Sequence, residues 1–207
     1  MKKVDWKEAE KCLREGGIGI VPTDTIYGIS AQAFREDLVE KIYSLKKRDR
    51  KKPFIFLINQ ISDLERFGIK IDEKRKELLS KFWPGKVSIV FPCPIPNLDY
   101  LHRGTNSLAF RLPENKNLLA LLKKTGPLVS TSVNWEGEKP AENCWEVGKY
   151  FGNELDFCLD VGDLKGSPST VLDFSGEKVK VLRRGAWEKK EHFSAVFWSN
   201  PLERLRG

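Results

Sequence analysis

Three clusters in this 207-residue chain carry side chains able to do chemistry. The run Lys46-Lys47-Arg48-Asp49-Arg50-Lys51-Lys52 sets six cations among seven residues. Lys as a point charge and Arg as a planar fork together grip a polyphosphate. The same composition also describes a helix end, where the dipole attracts cations, followed by a solvated turn. In Pro22-Thr23-Asp24-Thr25-Ile26-Tyr27-Gly28, two hydroxyls and a carboxylate precede a glycine that lets the backbone turn sharply. This segment suits a ligand site outside a strand end, or an ordinary loop whose Thr and Asp bond their own backbone. Ser130-Thr131-Ser132-Val133-Asn134 offers three hydroxyls and an amide, fit for a nucleotide or an amino acid, or for a strand end followed by a cap.

Other chemistries find little support. There is no G-x-x-x-x-G-K-[ST] and no G-x-G-x-x-G. No Gly-x-Ser-x-Gly elbow surrounds any serine, and His102 and His192, the only histidines, read as surface residues, so no covalent catalytic residue is expected. The four cysteines, Cys12, Cys93, Cys144 and Cys158, lack the two-residue spacings of zinc or redox sites. They read as buried small hydrophobes, and no metal ligands are expected. Trp135, Trp145, Trp187 and Trp198 read as core or edge packing rather than as base-stacking platforms.

The elements that must position these clusters follow from periodicity. Trp6, Ala9, Cys12 and Leu13 recur at helical spacing in a helix over 4–15 that Gly16-Gly17 stops. A strand over 18–21 then ends in the polar loop 22–28. A helix over 36–47 turns Leu38, Val39, Ile42 and Leu45 inward and leads into the basic run. Strands are predicted over 54–58, 87–91, 108–112, 128–131, 157–160, 169–174 and 179–182, and helices over 117–124 and 141–150. Two more helices are capped by Ser62 and Asp72. Along 108–112, Leu108, Phe110 and Leu112 alternate with Ala109 and Arg111, so Arg111 projects opposite the large apolar side chains. Helices alternating with strands predict an α/β sheet of mixed strand directions.

Length suits one domain, and six Trp with twelve Phe supply a core that needs no disulfide or metal to fold. No apolar run approaches the roughly 20 residues of a membrane span, and the charged start is not a signal peptide, so a cytoplasmic protein is expected. The net charge of +7 suits phosphate, nucleotide or RNA partners.

In order along the chain, seven segments resemble the YrdC family, the threonylcarbamoyl-AMP synthases. They are Pro22 to Gly28; Lys46-x-Arg48 with Lys52-Pro53; Phe82-Trp83-Pro84-Gly85; Arg111-Leu112-Pro113; Ser132-Val133-Asn134 with Gly137; Ser169-Thr170-Val171; and Leu182-Arg183-x-Gly185. Val133 stands where relatives usually carry Ala, Ser88 where they usually carry Thr, and Lys139-Pro140-Ala141-Glu142 replaces a Pro-Ser-Pro-Thr-like segment.

The resemblance implies a twisted, mixed, open α/β sheet with flanking helices and a large positively charged concave cavity, in a catalytic domain over 1–186. The chain length resembles the short bacterial form, and the tail over 187–207, beyond the last family motif, is expected to pack outside the site or stay partly mobile. The resemblance implies a nucleotidyltransferase that joins L-threonine, bicarbonate and ATP into threonylcarbamoyl-AMP and pyrophosphate for the t6A modification of tRNA, with Mg2+ accompanying ATP. By the same resemblance Lys46, Arg48, Ser132, Asn134 and Arg183 bind ATP, and Thr25, Arg111 and Ser169 bind threonine or its carbamate. tRNA at the basic cavity and downstream threonylcarbamoyl-transfer proteins are further expected partners. The rivals are an RNA-binding module without catalysis and a carbamoyl-adenylating domain like that of hydrogenase-maturation carbamoyltransferases.

Overall fold

The computed structural model describes residues 1–135, 137–176 and 179–187. Ten strands form one open sheet: β1 (Lys2–Val4), β2 (Gly19–Pro22), β3 (Tyr27–Gln32), β4 (Ile55–Leu57), β5 (Val87–Pro92), β6 (Ser107–Arg111), β7 (Leu128–Ser132), β8 (Phe157–Leu159), β9 (Thr170–Asp173) and β10 (Lys180–Arg183). Their order across the sheet is β1-β8-β2-β3-β7-β4-β6-β5-β9-β10. Parallel pairs (β1 with β8, β8 with β2, β4 with β6, β5 with β9) are interleaved with antiparallel ones. The mixed, open α/β sheet expected from the sequence is therefore present.

Six α-helices flank the sheet: α1 (Trp6–Arg14), α2 (Glu36–Lys46), α3 (Glu73–Leu79), α4 (Asp99–His102), α5 (Lys116–Thr125) and α6 (Cys144–Phe151). Side chains alternate across a strand, and the central strands are apolar on both faces. Val21, Leu57, Leu128 and Phe157 join a layer with Leu13 of α1 and Leu118, Leu121 and Leu122 of α5. Their neighbours Ile20, Phe56, Val129 and Cys158 join a larger layer with Val39 and Ile42 of α2 and Val147 of α6.

Several expectations change. Residues 2–4 form an edge strand, and Asp5 caps α1 through a capping box with Glu8. The polar loop shrinks to the turn of a hairpin whose second strand, β3, the sequence hides because Gly28, Ser30 and Ala31 carry little apolar signal. The helix expected from Ser62 is a 3-10 segment, Ile61–Phe67, capped by Gln60. His102 is buried rather than exposed: its Nε2 lies 3.2 Å from the Ile95 carbonyl and its Nδ1 accepts from the Gly104 N–H at 3.2 Å. Cys144 and Cys158 are buried as expected but form a disulfide, Cα to Cα 6.1 Å, because the first turn of α6 packs on β8. Trp135 and Trp145 take the edge alternative, 44% and 70% exposed, with Trp135 edge-on to Tyr150 at 5.6 Å between centroids and Lys149 Nζ 3.8 Å from the Trp145 ring. Trp187 packs on Phe82 with ring centroids 5.5 Å apart. His192, Trp198 and the tail from 188 lie outside the described residues. Among those described, no helix is long and apolar enough to cross a membrane.

Candidate functional site

Between β3 and β7 the sheet carries small side chains where larger ones would fill the space. Gly28 pairs with Ser132 and Ser30 with Ser130, and Ser130 in turn pairs with Ile55 of β4. A Cβ on Gly28 would stand 2.5 Å from Ser130 Oγ, so any larger residue there would displace the Ser130 hydroxyl. Over this floor lies a cleft of about 610 Å3, including space open to solvent, walled by the β2–β3 turn, the basic loop, the end of β6 and the segment around Ser169.

The β2–β3 turn is held by its own hydroxyls. Thr23 Oγ1 donates to the Ile26 carbonyl at 2.7 Å and accepts from the amides of Thr25 and Ile26 at 3.1 and 3.2 Å. Its proton thus committed, Thr23 takes the proton of Thr25 across 2.9 Å, which leaves Thr25 Oγ1 to accept from Arg111 Nη1 at 2.7 Å. Tyr27 fastens the loop above, its hydroxyl donating to the Gly162 carbonyl at 2.8 Å and accepting from the Val161 N–H at 3.0 Å.

Arg111, at the end of β6, is 3% exposed, on the side opposite Phe110 as its strand position predicts. Its Nε donates to the Gly85 carbonyl at 3.0 Å, which gives the Phe82 to Gly85 motif a structural purpose. Its Nη2 meets Asp24 Oδ1 in an ion contact of 2.5 Å, with both atoms shut off from solvent. Burial pushes the Arg111 guanidinium below its ordinary value and Asp24 pulls it back. An arginine stays charged under such shifts, and Asp24 is the anion that compensates its burial.

Two further guanidinium groups reach the same cleft. Arg183 of β10 donates from Nε and Nη2 to the Ser169 carbonyl at 3.2 and 2.9 Å, and from Nη2 to Ser169 Oγ at 3.3 Å. Ser169 Oγ also lies 2.8 Å from Ser88 Oγ. Burial lowers the Arg183 pKa, and the charges of Arg48 and Arg111 lower it further. Arg48 donates from Nε to the Lys52 carbonyl at 3.0 Å and from Nη2 to the Pro53 carbonyl at 3.4 Å. Three like charges facing one cleft repel until an anion enters it.

Lys46 and Asn134 stand behind this wall rather than on it. The buried Lys46 Nζ donates to the Ser132 carbonyl and, at 3.3 Å, to Asn134 Oδ1. Asn134 Oδ1 also accepts from Ser132 Oγ at 2.6 Å, and its Nδ2 donates to the Glu138 carbonyl at 2.6 Å. Thr25, Arg48, Arg111, Ser132, Ser169 and Arg183 line the cleft itself. Sequence reasoning gave Asp24 no role; its place between two Thr of a motif was the available signal. Ser88 was noted only as a departure from the family pattern. Among the described residues no cluster of three or more His, Cys, Asp or Glu could hold a metal. No carboxylate lines the cleft, so a metal ion there would take its oxygens from a phosphate ligand and water.

The Sua5/YciO/YrdC family model, described as telomere recombination, matches residues 11–185. A threonylcarbamoyl-AMP synthase of Bacillus subtilis is 33% identical over 192 residues, 91% of this chain and 55% of that protein. The protein of the same name from Coxiella burnetii is 31% identical over 154 residues, 74% of this chain and 83% of that one. This chain thus spans about half the length of the first of these relatives and most of the second. The crystal structure of Pyrococcus abyssi Sua5 complexed with L-threonine superposes with a TM-score of 0.83 at 28% identity, covering 92% of this chain and 56% of that one. Escherichia coli YciO shares the fold, with a TM-score of 0.78 at 22% identity over 89% and 91% of the two chains.

Proposed function

Since the chain belongs to the Sua5/YciO/YrdC family, we propose that it is a threonylcarbamoyl-AMP synthase, a nucleotidyltransferase acting on L-threonine, bicarbonate and ATP to supply tRNA t6A modification. The observation that carries this reading is the convergence of Arg48, Arg111 and Arg183 on a cleft that the hydroxyl-bearing Thr25, Ser132 and Ser169 also line. A polyphosphate and a carboxylate need cations and hydroxyl donors in that proportion. An RNA-binding module without catalysis is not favoured, since it gives no reason for a buried Arg111 aimed into a small cleft.

In this reading the amine of threonine, once deprotonated, adds to CO2 and releases a proton, or adds to bicarbonate and expels water, to give a carbamate. A carbamate oxygen then attacks the α-phosphorus of ATP and pyrophosphate leaves. No covalent enzyme intermediate is required, so the side chains act by proximity and by stabilising developing charge. Arg111 supplies the positive charge that faces the threonine carboxylate, while Thr25 and Ser169 hold the remaining polar atoms of threonine or its carbamate. Arg48 and Arg183 face the phosphates. Lys46 and Asn134 support the nucleotide by fixing Ser132. A magnesium ion brought with ATP would neutralise phosphate charge, and no step here is routed through it.

The test is pyrophosphate release with ATP, bicarbonate and single amino acids. Release should require threonine and bicarbonate together. Serine should be poorer by about 1 to 3 kcal/mol for one lost methyl, and valine poorer still because a hydroxyl partner is left unpaired. Release from ATP alone, or equal turnover of all three, would overturn the reading.

A further inference from the structure

Arg48 lies in a loop between α2 and β4 where flexibility would blunt its grip, yet one residue of α2 ties down both ends of that loop. The Tyr43 carbonyl accepts from the Arg48 N–H at 3.2 Å, which closes the helix. The Tyr43 hydroxyl donates to the Lys52 carbonyl at 3.1 Å, and Arg48 Nε donates to the same carbonyl at 3.0 Å. The hydroxyl and the guanidinium therefore share one acceptor, which fixes the side chain of Arg48 relative to the helix behind it.

Tyr43 is itself immobilised. It is 2% exposed, its ring packs on Phe54 with centroids 4.1 Å apart, and the Arg103 guanidinium lies 4.1 Å from its ring centroid. Glu40, one turn earlier, takes Arg103 at 2.5 Å and Arg50 at 2.7 Å, so the middle of the loop is held to the same helix. Burial raises the Tyr43 pKa despite the opposing pull of Arg103, so the hydroxyl keeps the proton it donates. The Arg48 guanidinium also sits 5.4 Å from the Phe54 ring on which Tyr43 packs.

We infer that Tyr43 is a positioning residue for ATP: through the shared Lys52 carbonyl it holds Arg48 in the one orientation that meets the polyphosphate. This rests on the reading of the cleft as an ATP site. Removing the hydroxyl releases one part-buried hydrogen bond and lets Lys52 and Arg48 move, which should weaken ATP about three- to tenfold, the effect of one net hydrogen bond.

The test is calorimetric titration of ATP into the full chain as wild type, Tyr43→Phe, Arg48→Ala and the double variant, with hydrogen exchange of residues 47–53 in each free protein. Phenylalanine keeps the ring packing, so the variant should fold. The expected result is a three- to tenfold weaker ATP affinity for Tyr43→Phe and faster exchange in the loop. Threonine affinity should stay within about twofold, and the double variant should bind ATP as Arg48→Ala does, because Tyr43 acts only through Arg48. Wild-type affinity and exchange in Tyr43→Phe, or a loss that adds in full to that of Arg48→Ala, would overturn the inference while leaving the function standing. A wild-type chain that binds no ATP would overturn both.

Discussion

Replacing Arg111 by Met separates its part in stability from its part in chemistry. The side chain is 4% exposed and ties two segments to β6: the β2–β3 turn, through Asp24 at 2.5 Å and Thr25 Oγ1 at 2.7 Å, and the Gly85 carbonyl at 3.0 Å. Removing it strands Asp24, whose side chain is 12% exposed, as an uncompensated carboxylate. Breaking one side of a buried pair costs about 3 to 5 kcal/mol. In a chain of this size that lowers Tm by roughly 6 to 20 °C, at about 2 to 4 °C per kcal/mol. Adding Asp24→Leu removes the stranded charge, and a pair replaced by apolar groups is often neutral, so the double variant should regain a large part of the lost stability. It should not regain pyrophosphate release, because no guanidinium remains for the threonine carboxylate. Thermal denaturation and the pyrophosphate assay on both variants check this. A single variant within about 1 kcal/mol of wild type would refute the buried-pair account. Activity restored in the double variant would reduce Arg111 to a structural role.

Arg48→Ala should weaken ATP binding while changing stability by only about 0 to 1 kcal/mol, and Arg48→Lys should recover part of the binding because a point charge does not reproduce two parallel bonds; calorimetry and a denaturant midpoint check both. Reducing the Cys144–Cys158 bridge, which closes a 14-residue separation, should cost about 3 kcal/mol, seen as a lower Tm under reductant that a Cys144→Ala, Cys158→Ala variant reproduces without reductant. Gly166→Ala should raise the KM for threonine more than that for ATP, since its Cβ would sit 2.2 Å from the Thr25 carbonyl and push the β2–β3 turn away from Arg111; steady-state kinetics with each substrate varied checks the split.

Periodicity and order along the chain sufficed for much of this protein. The period of two along β6 already sets Arg111 opposite Phe110, and helical spacing locates α1, α2 and α5, because both signals arise within a few residues of backbone geometry. The order of the motifs was enough to identify the family. Strand β3 escaped because its Gly28, Ser30 and Ala31 are small; of these Gly28 lines the cleft, while Ala31 packs in the core. What tertiary structure alone decided is which distant residues meet. Asp24 reaches Arg111, Cys144 reaches Cys158 and His102 loses its solvent through packing that no local spacing encodes. Arg183 arrives beside Ser169 only because β9 and β10 extend the far edge of the sheet. Lys46 and Arg48, two residues apart, part company because α2 ends at Lys46 and the next residue adopts the left-handed conformation. That reversal buries the lysine behind Ser132 and turns the arginine into the cleft, a choice made by the path of the chain and not by residue type.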